Sequence, residues 1–93
     1  MMNATSFGAT VSVDERPGRV LAVYFRLRQG QIAETREVVE GKAFADYDEE
    51  GILLGVELLG ACDGKVLDEL AEQEPEAVRR FFRRAAPREM VPA

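Results

Sequence analysis

The stretch DYDEEGILLGVE, from Asp46 to Glu57, decides how the chain folds. As a calcium loop it places acids at positions 1, 3 and 5, glycine at 6, an apolar residue at 8 and glutamate at 12. A calcium loop of this kind needs a helix on each side. Here the flanks alternate like strands. DEEG then fits a three-residue hairpin loop: a type I turn over Glu49 and Glu50, with Gly51 in the left-handed conformation as a bulge. That register pairs Asp48 with Ile52, sets Asp46 opposite Leu54 and sets Glu57 opposite Ala43. Asp46 and Glu57 come out about 10 Å apart along the strands, at roughly 3.4 Å per residue, and on opposite faces. They do not share an ion. Phe44, Ile52, Leu54, Val56 and Leu58 are expected on one face with Asp46 and Asp48. Ala45, Tyr47, Leu53, Gly55, Glu57 and Leu59 are expected on the other, with Tyr47 leaning across Gly55.

Outward from the hairpin, the same period of two recurs. Phe7, Ala9, Val11 and Val13 alternate with small polar residues and predict a half-buried strand. Pro17-Gly18 punctuates a turn. Val20 to Leu27, VLAVYFRL, predicts a second strand, buried on both faces for part of its length. Ile32 to Val39 predicts a third, more charged and nearer an edge. Ala43 to Tyr47 and Ile52 to Leu59 are the fourth and fifth. The spacing then turns helical: Val66, Leu67, Leu70 and Ala71 follow a capping Asp63, and Val78, Phe81, Phe82 and Ala85 follow Pro75. Pro87 stops the second helix, and residues 87–93 are expected to fray. The expectation is a single α+β domain over residues 1–93. It has an antiparallel meander of about five strands at about 5–59, then two short helices at about 64–86 packed on the sheet.

Composition narrows the function. The 93 residues are 46% apolar and 31% charged, enough for one modest core. No apolar run is long enough to cross a membrane, and the first residues lack the basic-then-apolar pattern of a secretory signal. The single cysteine, Cys62, makes no internal disulfide, so a cytoplasmic setting and a buried structural thiol are expected. The chain has no histidine, which removes imidazole ligands and histidine-activated nucleophiles. No catalytic constellation and no cofactor are expected. The weak metal candidates are Asp46 and Asp48 at the hairpin rim, with a turn-stabilising role as the plainer reading.

Net charge is −5, which argues against nucleic acid as the partner. Charge is segregated, however. Asp63 to Glu76 holds six acids and one lysine, while Arg79 to Arg88 holds five arginines and no acid. Arg79, Arg80, Arg83 and Arg84 are expected to form a solvated helix face, with a protein interface next and a contact for RNA, DNA or anionic lipid last. The acidic segment can pair with them in a second subunit or within the chain, as the Glu76/Arg80 spacing allows. Glu57, between Val56 and Leu58, is a further partner-binding candidate.

VYFRLRQGQIAETREV followed by DYDEEGILLGVELL resembles the YuzE-like family of small bacterial proteins of unknown function. The matching residues are Tyr24, Arg26, Leu27, Gly30, Ile32, Ala33, Thr35, Asp46, Tyr47, Asp48, Gly51, Gly55, Val56, Glu57, Leu58 and Leu59, within about residues 13–59. Val20 and Leu21 stand where members usually carry an acid. The resemblance implies a fold and a bacterial cytoplasmic setting, but no activity. Some members resemble proteins encoded beside small toxin-like proteins. The leading expectation is thus a non-enzymatic, protein-binding, antitoxin-like or regulatory module. It would be homodimeric, with a partner encoded nearby. The alternatives are a small-ligand or metal-binding protein using the Asp46/Asp48 rim, and an acidic inhibitor of a nucleic-acid enzyme.

Overall fold

The computed structural model describes residues 7–15 and 18–91. The strand start expected near residue 5, residue 17 of the first turn and residues 92–93 lie outside the described residues. Five strands come first: β1 (Gly8–Val13), β2 (Val20–Arg26), β3 (Glu34–Val39), β4 (Ala43–Tyr47) and β5 (Leu53–Leu58). Two helices follow, α1 (Gly64–Leu70) and α2 (Glu76–Ala85). The fold is α+β with one antiparallel five-stranded sheet, as the sequence leads one to expect.

The strand order is β1-β2-β5-β4-β3, so the meander is not sequential throughout. Burial explains the order. β5 is buried along nearly all its length, more than any other strand, so it takes the centre. β1 and the charged β3 are mostly exposed and take the edges. The segment between β2 and β3 carries the chain to the far edge, and β3, β4 and β5 then meander back to β2. Within that connection Gly30 lies on Leu54; a Cβ on Gly30 would come within 2.8 Å of the leucine Cδ2.

The register departs from the uniform count at one residue. Tyr47 pairs with Leu53 but Asp46 pairs with Gly55, leaving Leu54 as the extra residue of a β-bulge. The Leu54 carbonyl accepts from the amides of both Leu27 and Arg28. Strict alternation would bury either Leu53 or the pair Val56 and Leu58, not all three. The bulge puts all three on the helix side and leaves Leu54 buried separately, against Gly30. Beyond the bulge every face assignment therefore reverses. Ala43 and Ala45 face the core with Leu58 and Val56, while Phe44 and Asp46 lie opposite Glu57 and Gly55 on the other face.

β2 alternates rather than burying both faces. Val23, Phe25 and Leu27 are fully buried, whereas Ala22 and Tyr24 are half-buried and Arg26 is exposed. The helices cover only the Phe25 face. Phe25 meets Phe82 edge-on at 5.2 Å between ring centroids and Phe81 at 5.8 Å. Phe7 stacks on Phe81 at 5.0 Å. Burial of each such ring is worth about 1.5–3 kcal/mol. Asp63 caps α1 by accepting from the Lys65 amide at 2.9 Å, and Pro75 occupies the N-cap of α2.

The segment after Pro87 does not fray. Met90 is buried, its carbonyl accepts from the Cys62 amide at 2.7 Å, and the Glu89 carboxylate accepts from the Val20 amide at 3.1 Å. Met90 supplies core volume that two short helices leave unfilled. No helix among the described residues is long and apolar enough to cross a membrane.

Candidate functional site on the open face of the sheet

The face opposite the helices is polar, and alternation builds it. One row across the sheet reads Gly8, Arg26, Gly55, Asp46, Thr35 from β1 to β3. The adjacent row reads Thr10, Tyr24, Glu57, Phe44, Glu37. The Tyr24 hydroxyl leaves its own row and donates to Asp46 Oδ2 at 3.0 Å. The Thr35 hydroxyl donates to Asp46 Oδ1 at 2.6 Å. Both carboxylate oxygens are thus held by hydroxyls from strands on either side of β4 and β5.

Two glycines make room for this arrangement. A Cβ on Gly55 would lie 2.2 Å from the Tyr24 hydroxyl oxygen and 2.5 Å from Cζ, so the ring lies flat over bare backbone. A Cβ on Gly8 would lie 3.2 Å from Arg26 Nη2, so the guanidinium reaches the other way, toward β1. Burial first, and then the Asp46 hydrogen bond and charge, push the Tyr24 hydroxyl up to about 12; nearby Glu57 adds to this and Arg26 opposes it. The protonated phenol acts here as the hydrogen-bond donor to Asp46. The face presents a fixed donor–acceptor array flanked by Arg26 and Glu57.

Each residue singled out in the sequence now has a place. Asp46 accepts from two hydroxyls, those of Tyr24 and Thr35. Asp48 is a turn residue: its Oδ1 accepts from the amides of Glu50 at 2.8 Å and Ile52 at 2.9 Å. The Asp48 carbonyl accepts from the Gly51 amide, with Gly51 at φ 79°, as the hairpin reading requires. Among the described residues no three metal-ligating side chains form a cluster. Glu57 shares the open face with Asp46, not the opposite one, and its cross-strand neighbours are Tyr24 and Phe44.

Two of the four α2 arginines form ion pairs within the chain. Arg80 pairs with Glu76 at 3.5 Å and Arg83 with Asp68 at 3.6 Å, all well exposed. Arg79 is half-buried, and its Nε is buried without a hydrogen-bond partner among the described residues. Arg83 and Arg84 line a shallow cavity of about 370 Å³ beside Leu67 and Phe82. The Cys62 thiol is buried and donates to the Gly60 carbonyl, and burial pushes its pKa up.

Sequence reasoning did not single out Tyr24, Arg26 and Thr35 as a site. The available signal was the i, i+2 spacing of Tyr24 and Arg26 in an otherwise apolar strand. It also gave Tyr47 the place over Gly55 that Tyr24 occupies; Tyr47 instead lies on the helix side of the sheet, under the Arg36 guanidinium at 4.3 Å. A family model described as a protein of unknown function (DUF2283) matches residues 22–61. That stretch runs from β2 past β5 and contains Tyr24, Arg26, Thr35, Asp46, Gly55 and Glu57. No curated protein and no solved structure matches the chain.

Proposed function

We propose that this chain is a non-enzymatic protein-binding module and that the open sheet face is its contact surface. One observation carries the reading: four separate strands bring Arg26, Tyr24, Thr35, Asp46 and Glu57 to the one face the helices leave uncovered. The hydrogen bonds on that face are already made, so little ordering is needed on binding. Arg26 and Glu57 supply the charges that would orient a partner. The resemblance to YuzE-like proteins favours a bacterial cytoplasmic, antitoxin-like or regulatory role, with the product of a neighbouring gene as partner. The face is preferred to the α2 arginines as the contact, since Arg80 and Arg83 already lie beside the chain's own Glu76 and Asp68.

The test is calorimetric titration of the neighbouring gene's product into wild type, into Arg26→Glu/Glu57→Arg and into Arg80→Gln/Arg83→Gln. Binding abolished only by the open-face pair supports the reading. Binding that survives that pair, or is lost with the helix pair alone, overturns it.

A further inference from the structure

The two edges of the sheet are built differently. β3 carries Glu34, Arg36 and Glu37 among its six residues, and Glu34 and Arg36 form an ion pair at 3.1 Å along the edge. Charged side chains of this kind discourage another strand from pairing there. β1, also six residues, reads GATVSV: no charge, no proline, and β-branched residues at three positions. Among the described residues nothing pairs with its outer edge, since β2 is its one neighbour in the sheet. Half of its peptide groups therefore point outward.

The helix side of β1 is also incompletely covered. Phe81 of α2 reaches Phe7 at one end of the strand. Val11 and Val13 face the same side but remain 43% and 50% exposed, and Leu21 beside them 49%. An open backbone edge and an apolar strip thus coincide on one uncharged strand of a chain with net charge −5. Two copies of so acidic a chain meet least repulsion along the strand that carries none of the charge.

We propose that β1 pairs with β1 of a second copy of this chain, antiparallel about a two-fold axis normal to the sheet. The strand meets its own sequence reversed, which is the self-complementary contact a two-fold dimer requires. The outward amides and carbonyls are satisfied, and Val11 and Val13 of each copy cover one another. Both sets of helices lie on one side of the joined sheet. Both open faces lie on the other side, so two copies of the Tyr24–Asp46 array share one continuous surface. The dimer does not depend on what that surface binds.

Light scattering across a concentration series up to about 200 µM reads the assembly directly. Wild type is expected at twice its 10.3 kDa chain mass. Val11→Lys/Val13→Lys is expected to be a monomer with unchanged circular dichroism, whereas Val38→Lys on the other edge stays dimeric. Amide hydrogen exchange gives a second reading that needs no variant: successive amides along β1 are protected in the dimer, against alternate ones in an unpaired edge. A wild-type monomer overturns the proposal. So does a lysine variant that still dimerises, or alternate protection in wild type. A dimer broken by Arg26→Glu but not by the β1 lysines overturns it in favour of the open face.

Discussion

The Tyr24 ring lies across Gly55, and only a residue without a side chain admits it: any Cβ there would sit 2.2 Å from the hydroxyl oxygen. The same hydroxyl holds Asp46 at 3.0 Å, so the glycine of β5 fixes a hydrogen bond between β2 and β4.

Gly55→Ala is therefore expected to displace the Tyr24 ring, break the bond to Asp46 and destabilise the fold by about 1–3 kcal/mol. Urea denaturation measures this. Adding Tyr24→Ala recovers part of the loss but not all of it, because the new Cβ still meets the Phe25 carbonyl oxygen at 2.8 Å. Full recovery, or an unperturbed single variant, contradicts the geometry.

Tyr24 gives the fold an alkaline limit. Its hydroxyl ordinarily titrates near 10 and is raised to about 12 in the folded chain, first by burial and then by Asp46. The unfolded chain thus loses this proton first as pH rises. The stabilisation is complete below pH 10.0 and is lost progressively toward about 12. The hydroxyl is only part-buried, so solvent screening holds the loss to about 1 kcal/mol. Tyrosinate absorbance in a Tyr47→Phe background follows Tyr24 alone. Adding Asp46→Asn should move that titration down, and an unchanged curve would separate Tyr24 from Asp46.

The elements were legible in the sequence because each one repeats. The alternation of Val23, Phe25 and Leu27 and the spacing of Val78 and Phe82 recur over several residues. The register was not legible, because the bulge at Leu54 is a single event without a period. One extra residue moved Asp46 from opposite Leu54 to opposite Gly55 and brought Glu57 onto the same face. The strand order follows a comparison of burial between strands distant in sequence, as does the bond between Tyr24 and Asp46. Short spacings carry no trace of either. Met90 was missed for a related reason: its burial depends on space left by elements that precede it.

The hairpin tip makes a contrast between structure and metal. Asp48→Ala removes the acceptor for two amides and is expected to cost about 1 kcal/mol, whereas Asp48→Asn keeps most of the stability because its oxygen accepts the same bonds. Gly51→Ala forces a side chain into the left-handed region and is expected to cost about 1 kcal/mol as well. Millimolar calcium is expected to leave the thermal midpoint of wild type unchanged, because Asp48 is turned inward to the loop. A calcium-dependent rise that Asp48→Asn abolishes would restore the metal reading.

Arg28 joins three parts of the fold that the sequence leaves unconnected. It follows β2, its Nη1 donates to the Leu53 carbonyl at 2.8 Å, and its Nη2 pairs with Glu74 in the link between the helices. The Glu74 side chain is only 14% exposed, so removing its partner strands a charge with little access to water. Arg28→Ala is expected to cost about 1–3 kcal/mol. Arg28→Lys should recover only part of this, since a single ammonium does not reproduce the two-pronged reach to carbonyl and carboxylate. Glu74→Gln alone should cost less, because the amide oxygen still accepts from Arg28. A double-mutant cycle in urea isolates the pair, and its coupling is expected at about 0.5–3 kcal/mol. A coupling of zero would mean that Arg28 acts through Leu53 alone and that the helix link docks without it.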